Sequence, residues 1–575
     1  MNEPSPKPSK VEMIKESSRF LRGTLADSLA QETTHFSADE TQLLKHHGSY
    51  QQDNRDSRAK LQKEKQELEY SMMVRSKIPG GRMNAAQYLV HDDLATRFAN
   101  GTLRITDRQG IQFHGVLKKN MKSVIRTINQ NLGTTLGACG DVVRNVMACP
   151  APFENRIRTE IYRFCKAVSD QFLPQGGAYQ EIWLNGERMK DPAALPAGAI
   201  EPVYGEVYLP RKFKIGIAFP GDNCIDVYSH DIGIIPEVRQ EGEGAEAELT
   251  GFNILVGGGM GMTHGLAYTY PRLASPFCFV APGDLCAVTK AIVLVQRDFG
   301  NRANRNNARM KYLIDRRGLE WFRREVEIRF GKKTEPVRPF LPQTIETHHG
   351  WFLGADRRWF LGLFIENGRI KDEKGLRLKS GLRHIVEKYR CDVFLTPQQD
   401  ILLSGFSESQ KREIEDCLKS FGILLPEQLS NVLKDSMACP ALPTCGLAIT
   451  ESERVMPSVM ASLEKVIRKT GLENRRIMVR MTGCPNGCAR PYNVDIGLVG
   501  RMPGAYTLFL GGSIRGDRLS FAVADKVKAE EVASTLEPLL AAFRKEAPAE
   551  ESFGDYCARI GEARIKTCLF PAAGK

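Results

Sequence analysis

Long apolar runs are missing from this 575-residue chain. No stretch approaches the roughly eighteen consecutive apolar residues that a membrane-spanning helix needs, so no membrane association is expected. The N-terminal MNEPSPKPSKVEMIKESS has no apolar segment of the kind that opens a secreted protein. Its Glu3, Glu12 and Glu16 are out of place in a transit peptide, and a cytoplasmic location is expected. Cysteine is sparse, 14 in all, too few for a disulfide scaffold. Most cysteines lie singly in apolar runs, as Cys165, Cys278 and Cys286 do, a pattern suited to a reducing compartment. There is no arginine-rich tail and no basic repeat interleaved with aromatics, which argues against nucleic acid as a partner. Acidic residues are outnumbered, 68 against 80 basic, for a formal charge of +12 and a pI near 9.0. That balance favours anionic partners such as small anions or acidic proteins.

Against this background one stretch stands out. CPALPTC at 439–445 and CPNGC at 484–488 place four cysteines in two tight loops, as C-x5-C and C-x3-C. Thiolates are soft ligands, and four of them converging hold an iron–sulfur cluster or zinc. Structural zinc favours C-x2-4-C pairs, so C-x5-C fits it less well, whereas clusters tolerate wider spacing.

In chain order, residues 1–70 read as an N-terminal extended arm with short helices, ending in the charge-laced RAKLQKEKQELEY. Alternating α and β patterns follow. TLRITDRQGIQFHG at 102–115 reads as strand, turn and strand. Leu103, Ile105, Ile111 and Phe113 fall on one face, and Arg104, Arg108, Gln112 and His114 on the other, which is expected to present cations and donors. The same pattern returns as VFLTPQQDILLSG at 393–405, and MACPA at 147–151 returns at the same offset as 437–441. DIGII at 231–235 echoes DIGLV at 495–499, and FNILVGG at 252–258 echoes YTLFLGG at 506–512. Matches in one order mark an internal duplication. The first copy keeps the cations and the second keeps the paired thiolates, with lone Cys149 and Cys224 at the corresponding places in the first. A pseudo-twofold molecule with one site between its halves is expected. YLPRKFKIGIAF at 208–219 reads as a strand carrying Lys212 and Lys214 on one face, and Arg75 and Arg144 are further candidates for an anion pocket. VGGGMG at 256–261 departs from the G-x-G-x-x-G template and reads as a turn rather than a dinucleotide site.

HGSYQQDNRD, LRITDRQGIQFHG, RNVMACPAPF, YLPRKFK, VGGGMG and MACPALPTC…TGCPNGCARPY resemble the siroheme/[4Fe–4S] sulfite and nitrite reductase family, over residues from about 18 to about 565. The resemblance implies an α/β (α+β) protein with an internally duplicated, pseudo-twofold fold. Ferredoxin-like repeats at 71–145 and 340–430 would pair, beside a siroheme domain with a basic anion pocket at 146–339 and a [4Fe–4S]/siroheme domain at 431–575. It implies that Cys439, Cys445, Cys484 and Cys488 hold the cluster, with Cys488 bridging to the siroheme iron. Arg75, Arg144, Lys212 and Lys214 would contact substrate, and Arg104, Arg108, Gln112 and His114 would surround siroheme. Sulfite is the implied substrate because nitrite-reducing members tend to carry Asn where this chain has Lys214. TLGACGD at 135–141 and GSYQQDNRD resemble members that take electrons from ferredoxin; a flavoprotein donor is the other expectation, and the protein is expected as a monomer or as part of a reductase complex. Nitrite reduction is the alternative reaction. From other classes, a non-catalytic cluster or zinc protein binding nucleic acid would not need the basic stripe, and a redox carrier would not need the two lysines.

Overall fold

Strand-forming segments rich in Ile, Val, Leu and Phe repeat along the chain, and in the computed structural model they assemble in duplicate. The structure describes residues 7–150, 156–175, 182–184, 187–189, 200–240, 246–340 and 344–570. The tip of the N-terminal arm and residues 151–153 of the MACPAPF run lie outside these. Among the described residues there are four five-stranded sheets.

The first sheet is ordered Ser49–Asp53, Tyr70–Arg75, Ile111–Val116, Leu103–Ile105 and Arg369–Ile370; the second is Gly350–Leu353, Trp359–Leu363, Ile401–Phe406, Asp392–Leu395 and Arg82–Met83. Each sheet thus takes its last strand from the other. Where the exchanged segments cross, Gly81 (φ +74°) and Gly368 (φ +71°) occupy matching left-handed turns. A Cβ at Gly81 would stand 2.3 Å from the Leu395 carbonyl oxygen, and one at Gly368 2.5 Å from that of Ile105. Only glycine combines that backbone with so close an approach.

The remaining sheets also match strand for strand. Ser275–Val280, Glu248–Val256, Ile232–Arg239, Ile215–Ile217 and Met147–Ala148 correspond to Phe521–Lys528, Ala505–Leu510, Ile496–Met502, Val479–Thr482 and Ser436–Ala438. In both, three strands run parallel and the rest antiparallel. The parallel segments at 232–235 and 496–499 are buried throughout, as strands covered on both faces require. Against the last sheet, helices Met456–Thr470 and Val532–Glu546 bury Val459, Leu463, Leu536 and Leu540 at helical spacing.

The apolar core of 432–569 is separate from the core that the other three sheets share. Between the two cores lie buried charges, including Arg104, Arg108, Arg144, Arg480, Arg490 and Asp226. Polar groups are costly to bury without partners, so a polar layer between two greasy masses marks the place to look for a site.

Three sequence readings change. Residues 1–70 have the short helices expected, among them Lys10–Ser17, Ala38–Leu44 and Arg55–Lys63, but they also supply a strand, Ser49–Asp53, which pairs with Tyr70–Arg75 inside the first sheet. The polar face of 103–115 is buried like the apolar one, because the cysteine-bearing half covers it. The strand expected around the two lysines is only Ile215–Ile217; Lys212 and Lys214 lie in the segment leading into it. The fold also exposes a repeat that the sequence reading missed, His46-His47-Gly48 against His348-His349-Gly350, with both glycines left-handed.

Candidate active site

Strand register lines up the first group of candidates. Arg75 is paired with Gln112, Gln112 with Arg104, and Arg104 with Arg369. Directly paired residues share a face, so these four make one row across four adjacent strands. With its amide oriented to suit its neighbours, Gln112 accepts from Arg75 Nε at 3.3 Å and from the same guanidinium's second nitrogen. Arg104 donates from Nε to Glu453 at 3.0 Å and from Nη2 to the Ala438 carbonyl at 2.8 Å. Arg369 grips both oxygens of Glu453, at 2.7 and 3.0 Å. Burial alone would raise the Glu453 pKa, but Arg104 and Arg369 hold its carboxyl at about 2. The row therefore ends in a charged clamp on the loop that begins at Cys439, whose carbonyl accepts from the Glu453 N–H at 3.1 Å.

His114 lies on the same strand face, two residues beyond Gln112. Its Nδ1 is 3.4 Å from Gln52, and its Nε2 has no partner among the described residues. Burial, then Arg369 and Arg104, press its pKa well below the ordinary imidazole value, so the ring is neutral. Arg108 donates from Nη2 to the Asn145 and Ile215 carbonyls at 2.6 and 3.3 Å, while its buried Nε and Nη1 have no partner among the described residues.

The second group shares one electrostatic neighbour. Arg75, Lys212 and Lys214 all lie close enough to Cys488 for its charge to act on them. Around Arg75, burial opposes the charge, but Cys139, Tyr50, Asp107 and Cys488 outweigh it and raise the pKa. Burial lowers Lys214 to about 8, helped by Arg108; burial, with Lys214 beside it, takes Lys212 well below the ordinary lysine range. Arg144 is anchored by its own backbone, N–H to the Phe213 carbonyl at 2.8 Å, and donates from Nε to the Gly140 carbonyl at 2.8 Å.

Topology explains why cysteines so far apart in sequence meet. Ser436–Ala438 and Val479–Thr482 are adjacent parallel strands, and the two cysteine loops leave their carboxyl ends side by side. In open α/β sheets that edge is where ligands bind. The Gly483 N–H donates to Cys439 Sγ at 3.3 Å, and the Asn486 amide to Cys484 Sγ at 3.5 Å. Cys439, Cys445 and Cys484 are buried or half-buried, whereas Cys488 is exposed. Burial, then the charge of Cys488, raises the pKa values of those three thiols, so they ionise readily only against a metal. The interaction is electrostatic rather than tight: among the described residues no three of these sulfurs lie within 4.8 Å of one another. A single zinc with Zn–S near 2.3 Å would draw them to about 3.8 Å. The spacing suits a larger inorganic core.

Of the candidates named from sequence, Arg75, Gln112 and Arg104 share one row, Arg104 reaches the cysteine-bearing half, and Arg144 is bonded within the first half. The sequence reading missed Arg369, Glu453, Arg309 and Arg55. Arg309 bonds Asp231 at 2.8 Å, and Asp231 in turn receives the Lys214 N–H at 2.9 Å. Arg55 donates its N–H to the Pro443 carbonyl at 3.0 Å and its guanidinium to the Cys445 carbonyl at 3.1 Å. A signal for Arg369 was present: PGGRM at 79–83 matches ENGRI at 366–370. The VGGGMG run ends against the second cysteine loop, where the Met262 N–H bonds the Pro485 carbonyl at 2.9 Å, and no helix follows it.

Comparison with known proteins agrees with this architecture. Residues 139–334 and 430–574 match the nitrite and sulphite reductase 4Fe-4S domain, and 63–131 and 354–421 match the nitrite/sulfite reductase ferredoxin-like half domain. The chain is 45% identical to a protein of Synechococcus elongatus named sulfite reductase [ferredoxin], over 96% of this chain and 89% of that one. It is 44% identical to a sulfite reductase [NADPH] hemoprotein beta-component of Oceanobacillus iheyensis, over 96% and 94%. The solved structure of Mycobacterium tuberculosis NirA superposes with a TM-score of 0.79 at 21% identity, covering 97% of this chain and 98% of that one, and shares the fold.

Proposed function

The chain belongs to the nitrite and sulphite reductase family, and from that premise we propose that it reduces sulfite to sulfide at a site formed by the cysteine loops of one half and the cations of the other. The observation that carries this reading is the contact between the halves, where Arg104 of the first sheet bonds Glu453 and the Ala438 carbonyl beside the Cys439 loop.

The residues fit a siroheme and a [4Fe–4S] cluster. Four soft sulfurs spaced too widely for one zinc suit a cluster. Buried donors on Arg108 without a partner among the described residues, and the Arg75–Gln112–Arg104 row, suit a macrocycle rimmed with carboxylates. When bound, the two groups supply the single electrons and the Lewis-acid iron.

The protein supplies charge, orientation and protons. Hydrogen sulfite takes up six electrons and six protons and leaves as hydrosulfide and three waters. Arg75 and Arg144 hold the oxygens of the anion with the planar donors of their guanidinium groups. Lys212 and Lys214 deliver protons to departing oxygen, because burial brings Lys214 to about 8 and takes Lys212 well below the ordinary lysine range, which makes a lysine a better acid. Ferredoxin, a small acidic one-electron carrier, is the donor we favour, and a flavoprotein is the second reading. Helix Arg55–Lys63 carries Arg58, Lys60 and Lys63 with no buried residue, and its Arg55 touches the Cys445 carbonyl. An acidic partner seated there would be one peptide away from the cluster loop.

Purified protein is tested by its visible spectrum and by turnover of sulfite and nitrite with reduced ferredoxin. Haem and cluster absorption with kcat/KM higher for sulfite is expected. A colourless protein, or one that turns over nitrite alone, overturns the assignment.

A further inference from the structure

The duplication makes two copies of the loop pair that ends the parallel strands, and only one of them has been used so far. In the first half, Cys149 follows strand Met147–Ala148 as Cys439 follows Ser436–Ala438, and Cys224 follows Ile215–Ile217 as Cys488 follows Val479–Thr482. Asp222 and His348 join these two cysteines, and the four ligand atoms all lie within 4.8 Å of one another. Among the described residues this is the only such set of His, Cys, Asp and Glu. Cys149 Sγ is 2.8 Å from an Asp222 oxygen and 3.4 Å from His348 Nε2, and that nitrogen is 2.9 Å from Asp222.

The geometry points to a second, mononuclear metal site here, one that takes a zinc ion through Cys149, Cys224, His348 and Asp222. Two thiolates, one imidazole and one carboxylate are a donor set that zinc accepts in tetrahedral form, and the close spacing is what a single ion requires and the cluster loops lack. Surrounding bonds already aim the ligands. The second Asp222 oxygen accepts the Cys224 N–H at 2.8 Å, the Gln398 amide holds the Cys224 carbonyl at 2.9 Å, and the Asn223 N–H bonds the Thr344 carbonyl at 2.6 Å. Arg158 Nη1, 4.0 Å from Cys149 Sγ, supplies charge opposite to the one net negative charge of such a complex. His348 lies two residues before strand Gly350–Leu353, so a metal would tie the entry of the second repeat to two loops of the first half. The site is independent of the catalytic reading.

The test measures metal content rather than turnover. Holoenzyme from zinc-supplemented cells is analysed for zinc and iron by mass spectrometry, and its zinc-edge X-ray absorption is recorded. About one zinc per chain is expected, bound by two sulfurs and two lighter atoms. His348→Ala and Cys149→Ser should lower zinc at least tenfold while iron content and haem absorption persist. The wild-type absorption spectrum decides the matter even where these variants do not fold. Zinc well below one per chain, a four-sulfur zinc environment, zinc unchanged in both variants, or a Cys149–Cys224 disulfide in the holoenzyme would each overturn the proposal.

Discussion

Glu453 ties the two halves together, because two guanidiniums from neighbouring strands of the first sheet meet on it and its own N–H holds the Cys439 carbonyl. Removing one member of a buried ionic group costs about 3–5 kcal/mol, since the partners are left charged and unpaired. Glu453→Gln should therefore lower stability by that order at pH 7, read from the denaturant midpoint. The carboxyl's pKa is depressed from 4.5 to about 2, so its contribution is complete above pH 4.5 and disappears as pH falls through 2. The gap between wild type and variant should close over that window; a gap that stays constant means the charge is not the cause. At Lys214 the sign is reversed. A proton donor with a pKa of about 8 loses its proton as pH rises, so sulfite turnover should fall above pH 8. Lys214→Asn should remove that limb and reduce sulfite kcat/KM more than nitrite kcat/KM; equal losses would contradict the role given to this lysine.

Among elements, the exchanged edge strands put the strictest demand on sequence. Gly81→Ala forces a left-handed alanine against the Leu395 carbonyl, whereas Gly101 has φ +81° with open space around it. Gly101→Ala should cost only the backbone strain, about 1 kcal/mol, and Gly81→Ala several times that. Similar melting shifts for both would show that the crossing is looser than it looks. The strands at 103–105 and 111–116 were legible in sequence from their alternation, and the duplication from its repeated order. The exchange was not legible, because two-residue strands carry no period and their pairing is set by a segment hundreds of residues away. Lys212 and Lys214 were legible as a pair but not as a loop, because β-like alternation continues through RKFK, where the ladder does not. The burial of the polar face of 103–115 was equally hidden. Period two says that two faces differ, and only the docking of the second half says that both are covered.

At the scale of the whole molecule, the halves meet at positions that correspond. Asp226 and Arg490 occupy matching left-handed turns, φ 58° and 55°, and pair with each other at 3.5 Å across the boundary, with Arg480 at 3.6 Å from the same aspartate. The interface is thus polar at its centre and mutual in its strands. Separate expression of 1–343 and 344–575 should give insoluble chains, and co-expression should restore soluble protein; a soluble, folded 1–343 alone would disprove this dependence. The positive charge that suits the anion pocket also belongs to this scale. Turnover with ferredoxin should slow as salt rises, because attraction of an acidic carrier to a +12 chain is screened beyond about 8–10 Å at physiological ionic strength. A salt-independent rate would remove charge as the basis of docking.

Those traded edges also impose a timetable on the ribosome. Leu103–Ile105 emerges with its outer hydrogen-bonding groups bare, and Arg369–Ile370, which covers them, is made more than two hundred residues later. At roughly 5–20 residues per second the wait lasts on the order of ten seconds to a minute. Through that interval the newborn chain presents an open β margin to any neighbour on the same message, so chaperone supply and translation speed would govern how much enzyme a cell recovers.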